Sequence, residues 1–190
     1  ALQSGRFDRV IVSTDSPEIA SVGLQAGAEV PFLRNSHYDS TSAVSEATLT
    51  FAQRLGAPPE DTAIAQLLPV CPFRNAQDVD NVVNFFLRDN NQTSVISGNE
   101  YLLQTPWWAC EVDSQYTPTY LFPSALKKRS QDLPKLMTPN GAIWVSSLKT
   151  LIEHRTFYSP GHRMVEISWQ AGLDIDTEAD FKIAEALVAV

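Results

Sequence analysis

Apolar positions along the chain switch repeatedly between two periods. Short unbroken apolar runs, typical of strands covered on both faces, alternate with stretches whose apolar residues recur three and four apart, typical of amphipathic helices. Val10–Thr14 is the first run. Ser16 and Pro17 follow as an N-cap and a first-turn proline, and Ile19, Val22, Gly23 and Ala26 then share a face before Gly27 ends the segment. Ala28–Leu33 reads as a second, shorter strand, Ala43–Leu55 as a helix, and Thr62–Leu68, the most apolar run, as a central strand. Asn75 caps a helix whose apolar face is Val79, Val82, Val83, Phe86 and Leu87. Thr93–Ser97, Ala142–Val145 and Met164–Ile167 are further strands. Thr177-Glu178-Ala179-Asp180 fits a capping box, and the helix it opens carries Phe181, Ala184, Leu187 and Val188 as its buried stripe. Alternating strand and helix predicts a layered α/β fold over residues 1–190, with a mostly parallel, twisted sheet flanked by helices.

Two segments break the alternation. Residues 99–139 are aromatic, proline-bearing and without clear period, too long for a plain loop in a compact domain. They read as an excursion with a function or an interface, and the Trp107–Trp108 pair within it as packing or a dimer contact rather than a ligand-stacking pair. Ala1–Phe7 reads as the tail of a helix with Gly5 at its C′ position, so the domain is expected to be N-terminally incomplete.

Charge narrows the partners. The 190 residues carry 14 Lys and Arg against 22 Asp and Glu, a net charge of −8, which argues against nucleic acid and against an anionic membrane surface as the main partner. No apolar run approaches the roughly 20 residues that span a bilayer, and the first ten residues hold no apolar signal core. Cys71 and Cys110 have neither zinc nor CxxC spacing and read as two buried free thiols in a reducing cytoplasm. Phosphate-loop, dinucleotide and nucleophile-elbow motifs are absent, and His37, His154 and His162 are isolated, which leaves no hydrolase triad or zinc site in view.

The sharpest local chemistry is Leu173-Asp174-Ile175-Asp176-Thr177. On extended backbone, Asp174 and Asp176 share a face with Cα atoms about 7 Å apart. Two such carboxylates repel unless a cation lies between them, and Mg²⁺ prefers oxygen ligands in the company of phosphate. The plainer reading makes one aspartate a helix cap and the other a solvated loop residue. Arg34 and Arg74 follow strands, where loops border the ligand crevice of an open α/β sheet, and either can fork onto an anion or sit in a surface ion pair. Lys127-Lys128-Arg129 is a basic cluster, read as a solvated face or as a contact for an anionic substrate or neighbouring subunit.

Several motifs in order resemble the CMP-sialic acid synthetases, or acylneuraminate cytidylyltransferases. They are Phe7-Asp8-Arg9-Val10-Ile11-Val12-Ser13-Thr14-Asp15-Ser16, Gly27–Arg34, Asp39-Ser40-Thr41-Ser42, Gln131-Asp132-Leu133-Pro134, Asn140-Gly141-Ala142-Ile143-Trp144, and Asp174–Glu178 with Phe181–Glu185. The resemblance implies a nucleotide-diphospho-sugar transferase-like fold and transfer of CMP from CTP to a 2-keto-3-deoxy nonulosonic acid of sialic, legionaminic or pseudaminic type, with release of pyrophosphate. It implies Mg²⁺ as cofactor, with Asp174 and Asp176 as its ligands and as the catalytic pair. It puts Arg34 and Ser42 at the nucleotide, and Gln131, Asp132 and Asn140 at the sugar acid or its supporting shell; Arg74 is a candidate substrate contact from its place after a strand. It implies a cytoplasmic homodimer that exchanges contacts through a protruding segment, for which residues 99–130 are the candidate.

Two departures qualify the resemblance. The family opens on a glycine- and lysine-rich triphosphate cradle that has no counterpart in this sequence, and the central loop reads Leu68-Pro69-Val70-Cys71-Pro72-Phe73-Arg74 without the family's hydroxyls, with Gln66 out of register. The alternative function is therefore a truncated, non-catalytic member that binds a sugar acid, a nucleotide or a partner subunit. A third is another nucleotide-sugar transferase on the same layers.

Overall fold

The computed structural model describes residues 1–34, 44–88, 93–101 and 105–189. Its frame is a four-stranded sheet of β1 (Ala63–Gln66), β2 (Val95–Glu100), β5 (Met137–Ser147) and β6 (Arg163–Glu166), in the order β1-β5-β2-β6. β5 runs antiparallel to both neighbours, whereas β2 and β6 are parallel. Three of the four strands thus share a direction, and β5 reverses it in their midst.

Alternate side chains of the sheet enter two cores, as the two-residue period requires. Val95, Ile143 and Val145 meet Val79, Val82, Val83 and Phe86 of α3 (Ala76–Arg88) on one face. On the other, Ile96 and its neighbour Trp144 meet Leu49 and Ala52 of α2 (Val44–Arg54) and Leu148 and Leu151 of α4 (Leu148–His154). The result is a helix–sheet–helix sandwich. α3 forms where the sequence places it: Asn75 Oδ1 accepts from the N–H groups of Gln77 and Asp78, and Asp78 Oδ2 accepts from Asn75 N–H. Leu87, assigned to its apolar face, is exposed.

Several expected elements differ. β1 is an edge of this sheet, not its centre. Its apolarity reflects cover above and below, with Ile64 in one core and Ala65 against the other. The two N-terminal strands reduce to one parallel bridge, Ile11 to Glu29, held by Val12 N–H to Glu29 O and Glu29 N–H to Val10 O. α1 (Pro17–Gln25) buries Ala20 and Gly23, while Ile19 and Val22 are exposed. The reason is close approach: a Cβ on Gly23 would lie 2.9 Å from Val12 Cγ2, so the small-residue face packs inward. Gly5 closes a 3₁₀ turn at Leu2–Ser4 in the left-handed conformation.

α5 (Glu178–Val188) begins on the expected capping box, with Thr177 Oγ1 accepting from Asp180 N–H and Asp180 Oδ2 accepting from Thr177 N–H. Its stripe is a correction. Ala184 is buried, but Phe181 and Val188 are exposed, because α5 lies outside the two cores. Cys110 corrects a second expectation: it is exposed, at the start of β3 (Cys110–Val112), whereas Cys71 is buried.

The excursion carries a hairpin of β3 and β4 (Pro118–Tyr120), with Trp107 packed edge-on against Phe122 and donating from Nε1 to Pro134 O. Much of its apolar surface faces out, including Val112, Leu121 and Leu126, with Tyr116 88% exposed.

Candidate active site

A cleft of about 310 Å³ opens where β2 and β6 end, beside the start of β5. Among its lining residues are Asn99, Tyr101, Asn140, Trp169, Gly172 and Asp174. That is the carboxyl end of parallel strands, where open α/β sheets place ligands.

A local irregularity builds the floor. Ile96 pairs with Trp144, but the next pairing is Gly98 with Pro139, so β5 bulges between them. Pro139 has no N–H to give a ladder and is tolerated at such a bulge. Gly98 is required there, since a Cβ would fall 2.5 Å from Met164 Sδ and 2.8 Å from Thr138 O. Ser97, fully buried, substitutes for the missing ladder: its Oγ accepts from Ile143 N–H at 2.9 Å and donates to Asn140 Oδ1 at 2.5 Å. Asn140 Nδ2 donates in turn to Asn99 Oδ1 at 2.9 Å, and Trp144 Nε1 donates to Asn140 O.

The wall is the loop between β6 and α5. Ala171 N–H bonds to Ser168 Oγ and Gly172 N–H to Ser168 O, while Ile175 N–H reaches across to Val70 O. This fixes Asp174 at the cleft. Asp174 Oδ1 is buried with no hydrogen-bond partner among the described residues. Burial, followed by the neighbouring charges of Asp176 and Asp180, raises its carboxyl above the ordinary aspartate range. Cys71, below the same loop, has its thiol pushed up to about 11, chiefly by burial and next by Asp174.

The remaining residues named from the sequence are spread more widely. Asp176 is exposed, with its N–H bonded to Asp180 Oδ2. Arg74 does not line the cleft. Its half-buried guanidinium donates through Nη1 to Leu68 O and Ala142 O, tying the loop after β1 to β5, and burial lowers its pKa. Gln131 and Asp132 are exposed, and Asp132 pairs with Arg129 at 2.7 Å. Arg34 donates its N–H to Thr14 O, lies 3.7 Å from Asp15, and keeps a buried Nε without a partner among the described residues. Ser42 lies outside the described residues. The structure therefore brings Asp174 and Asn140 together and adds Ser97, Asn99 and Gly172. The sequence signal for Ser97 and Asn99 is slight, a Ser-Gly-Asn at the end of a strand.

A metal can be tested against this set. Among the described residues, no group of three or more His, Cys, Asp or Glu is placed to hold an ion. An unpaired carboxylate oxygen with a second carboxylate nearby nonetheless suits Mg²⁺, which commonly takes one or two protein carboxylates and completes its shell with water and substrate phosphate.

The comparisons agree with this architecture. The cytidylyltransferase family model matches residues 1–103. The chain is 30% identical to the CMP-N,N'-diacetyllegionaminic acid synthase of Legionella pneumophila, covering 99% of this chain and 81% of that protein. It is 27% identical to the pseudaminic acid cytidylyltransferase of Campylobacter jejuni, over 100% of this chain and 82% of that one. Among solved structures, CMP:2-keto-3-deoxy-manno-octonic acid synthetase complexed with CTP superposes with a TM-score of 0.64 at 15% identity, covering 99% of this chain and 85% of the other. The 4-diphosphocytidyl-2C-methyl-D-erythritol synthase of Anaerococcus prevotii gives 0.59 at 13%, covering 100% and 85%. These two likenesses show the fold of nucleotidyltransferases. The chain belongs to the cytidylyltransferase family.

Proposed function

We propose that the protein transfers CMP from CTP to the anomeric hydroxyl of a nonulosonic acid. The sugar oxygen bonds to the α-phosphorus, the bond from that phosphorus to the αβ-bridging oxygen breaks, pyrophosphate leaves, and the hydroxyl proton is released. One observation carries the reading: in a chain of this family, a carboxylate oxygen of Asp174 is buried without a partner among the described residues, at a cleft lined by polar amides. Relatives named for legionaminic, pseudaminic and N-acylneuraminic acids supply the acceptor class.

Phosphoryl transfer is catalysed mainly by positioning and by offsetting charge. Asp174, with Asp176 beside it, would hold Mg²⁺; when bound, the ion offsets charge on the triphosphate. The chain's own part is to fix Asp174 through the Ile175–Val70 bond and to orient the acceptor with Asn140. The exposed apolar surface of the β3–β4 hairpin supports contact with a second copy of the chain, as does its extension beyond both cores. We place the reaction in the cytoplasm, where an exposed free thiol such as Cys110 persists.

The test is pyrophosphate release with CTP, Mg²⁺ and a panel of sialic, legionaminic and pseudaminic acids. Release with at least one acid, dependent on CTP over UTP and GTP, is the expected result. Preference for UTP, or no release with any acid, would refute the reading.

A further inference from the structure

We infer that Asn99 is a specificity-determining residue and Ser97 its positioning residue, together setting a floor of amide N–H donors that takes a carboxylate or N-acyl carbonyl oxygen of the acceptor sugar. The inference rests on the cytidylyl-transfer reading for its ligand, and on the polarity of one hydrogen-bond chain for its chemistry.

That polarity is dictated by two backbone amides. Ile143 N–H can only donate, so Ser97 Oγ accepts it and turns its own hydrogen to Asn140. Ala142 N–H donates to the same Asn140 atom, at 3.3 Å, which must therefore be the oxygen. Asn140 then offers Nδ2 to Asn99, whose facing atom must be Oδ1. Asn99 Nδ2 is left to donate, and one of its hydrogens goes to Glu100 O at 3.1 Å. The orientation of both amides thus follows from fixed donors at the β5 bulge.

A side-chain NH₂ carries two hydrogens. Asn99 and Asn140 each use one on a described protein acceptor, and both residues line the cleft. Asn140 Oδ1, by contrast, already accepts twice. The floor is therefore rich in donors, whereas the charged groups of the lining, Glu100 and Asp174, are carboxylates that accept when ionised. An acceptor-bearing group seats on the amides, and hydroxyls seat toward the carboxylates. Ser97 is fully buried and touches no ligand itself; its role is to keep the amides from turning their oxygens outward.

The test uses the full chain and separate calorimetric titrations with N-acetylneuraminate, its 1-methyl ester and CTP. Asn99→Asp keeps an oxygen for Asn140 Nδ2 but removes the donor. It should weaken N-acetylneuraminate binding at least 30-fold and leave CTP binding within twofold. Ser97→Ala should weaken it five- to tenfold, and the side-chain NH₂ resonances of Asn99 and Asn140 should shift together. A methyl ester that binds the parent protein as weakly as the acid binds Asn99→Asp identifies the carboxylate as the seated group; an ester that binds as well as the acid identifies the acyl carbonyl. Acid affinity within threefold of the parent in Asn99→Asp, with melting temperature retained, overturns the assignment, and so does a parent protein that binds no acid. Asn99-dependent binding by a protein that releases no pyrophosphate would instead overturn the activity and leave this assignment standing.

Discussion

Asp174→Asn should lower turnover by about 10²–10³-fold, the scale of losing one preorganised electrostatic group, while raising the melting temperature of the ligand-free protein. The two effects have one cause. The carboxylate oxygen is buried without a partner among the described residues, and the carboxyl pKa is raised first by burial and then by Asp176 and Asp180. A raised carboxyl pKa means that the native state binds more protons than the unfolded chain between the ordinary aspartate value and the native one, so stability falls as pH rises through that window. The cost grows as pH rises through that window. A neutral amide has no charge to desolvate or to repel Asp176 and Asp180, so the variant should melt higher at pH 7. The gain should shrink as pH falls through the carboxylate range, where Asp174 becomes neutral unaided. Thermal scans of parent and variant from pH 7 down to pH 4, with turnover assayed at pH 7, check both halves. A variant that loses turnover and also melts lower at pH 7 would show Asp174 to be a structural residue.

Gly172→Ala should be nearly as damaging for a steric reason. Its added methyl would lie 2.3 Å from Asn140 Nδ2 and 2.8 Å from Asn99 Oδ1, both below any ordinary contact. Either the two amides turn or the loop bearing Asp174 backs away. Overpacking of this kind costs about 1–3 kcal/mol, and the KM for the sugar acid should rise at least 30-fold because donors and carboxylate lose their relative placement. Steady-state kinetics with the acid varied at saturating CTP would show it. An unchanged KM would mean that wall and floor act independently.

Which parts of this site were legible in the sequence follows from how each is built. α3 and the start of α5 were plain, because a cap and a stripe are local signals. The packed face of α5 was not, since periodicity marks an apolar face without saying whether anything covers it, and Phe181 lies open. β1 was read as central because its residues are apolar; apolarity reports cover on the faces, which α2 and α3 provide, and is silent on neighbours at the edge. Asp174 and Asn140 were reached through motifs. Ser97 and Asn99 were missed because they meet Asn140 only through the bulge in β5, across separations of 43 and 41 residues. Arg74 was named as a substrate contact from its place after a strand, whereas two carbonyls hold its guanidinium, an arrangement no local pattern reveals.

The central claim, that nucleotide phosphates and their metal gather at Asp174, is tested most directly with Mn²⁺ and CTP as a paramagnetic probe in an isotope-labelled sample. The account predicts that backbone amides of residues 172–176 and the side-chain amide of Asn140 broaden, that the Tyr116 hairpin stays sharp, and that Asp174→Asn removes the effect. Broadening that leaves residues 172–176 untouched, or that persists in full in the variant, would contradict it.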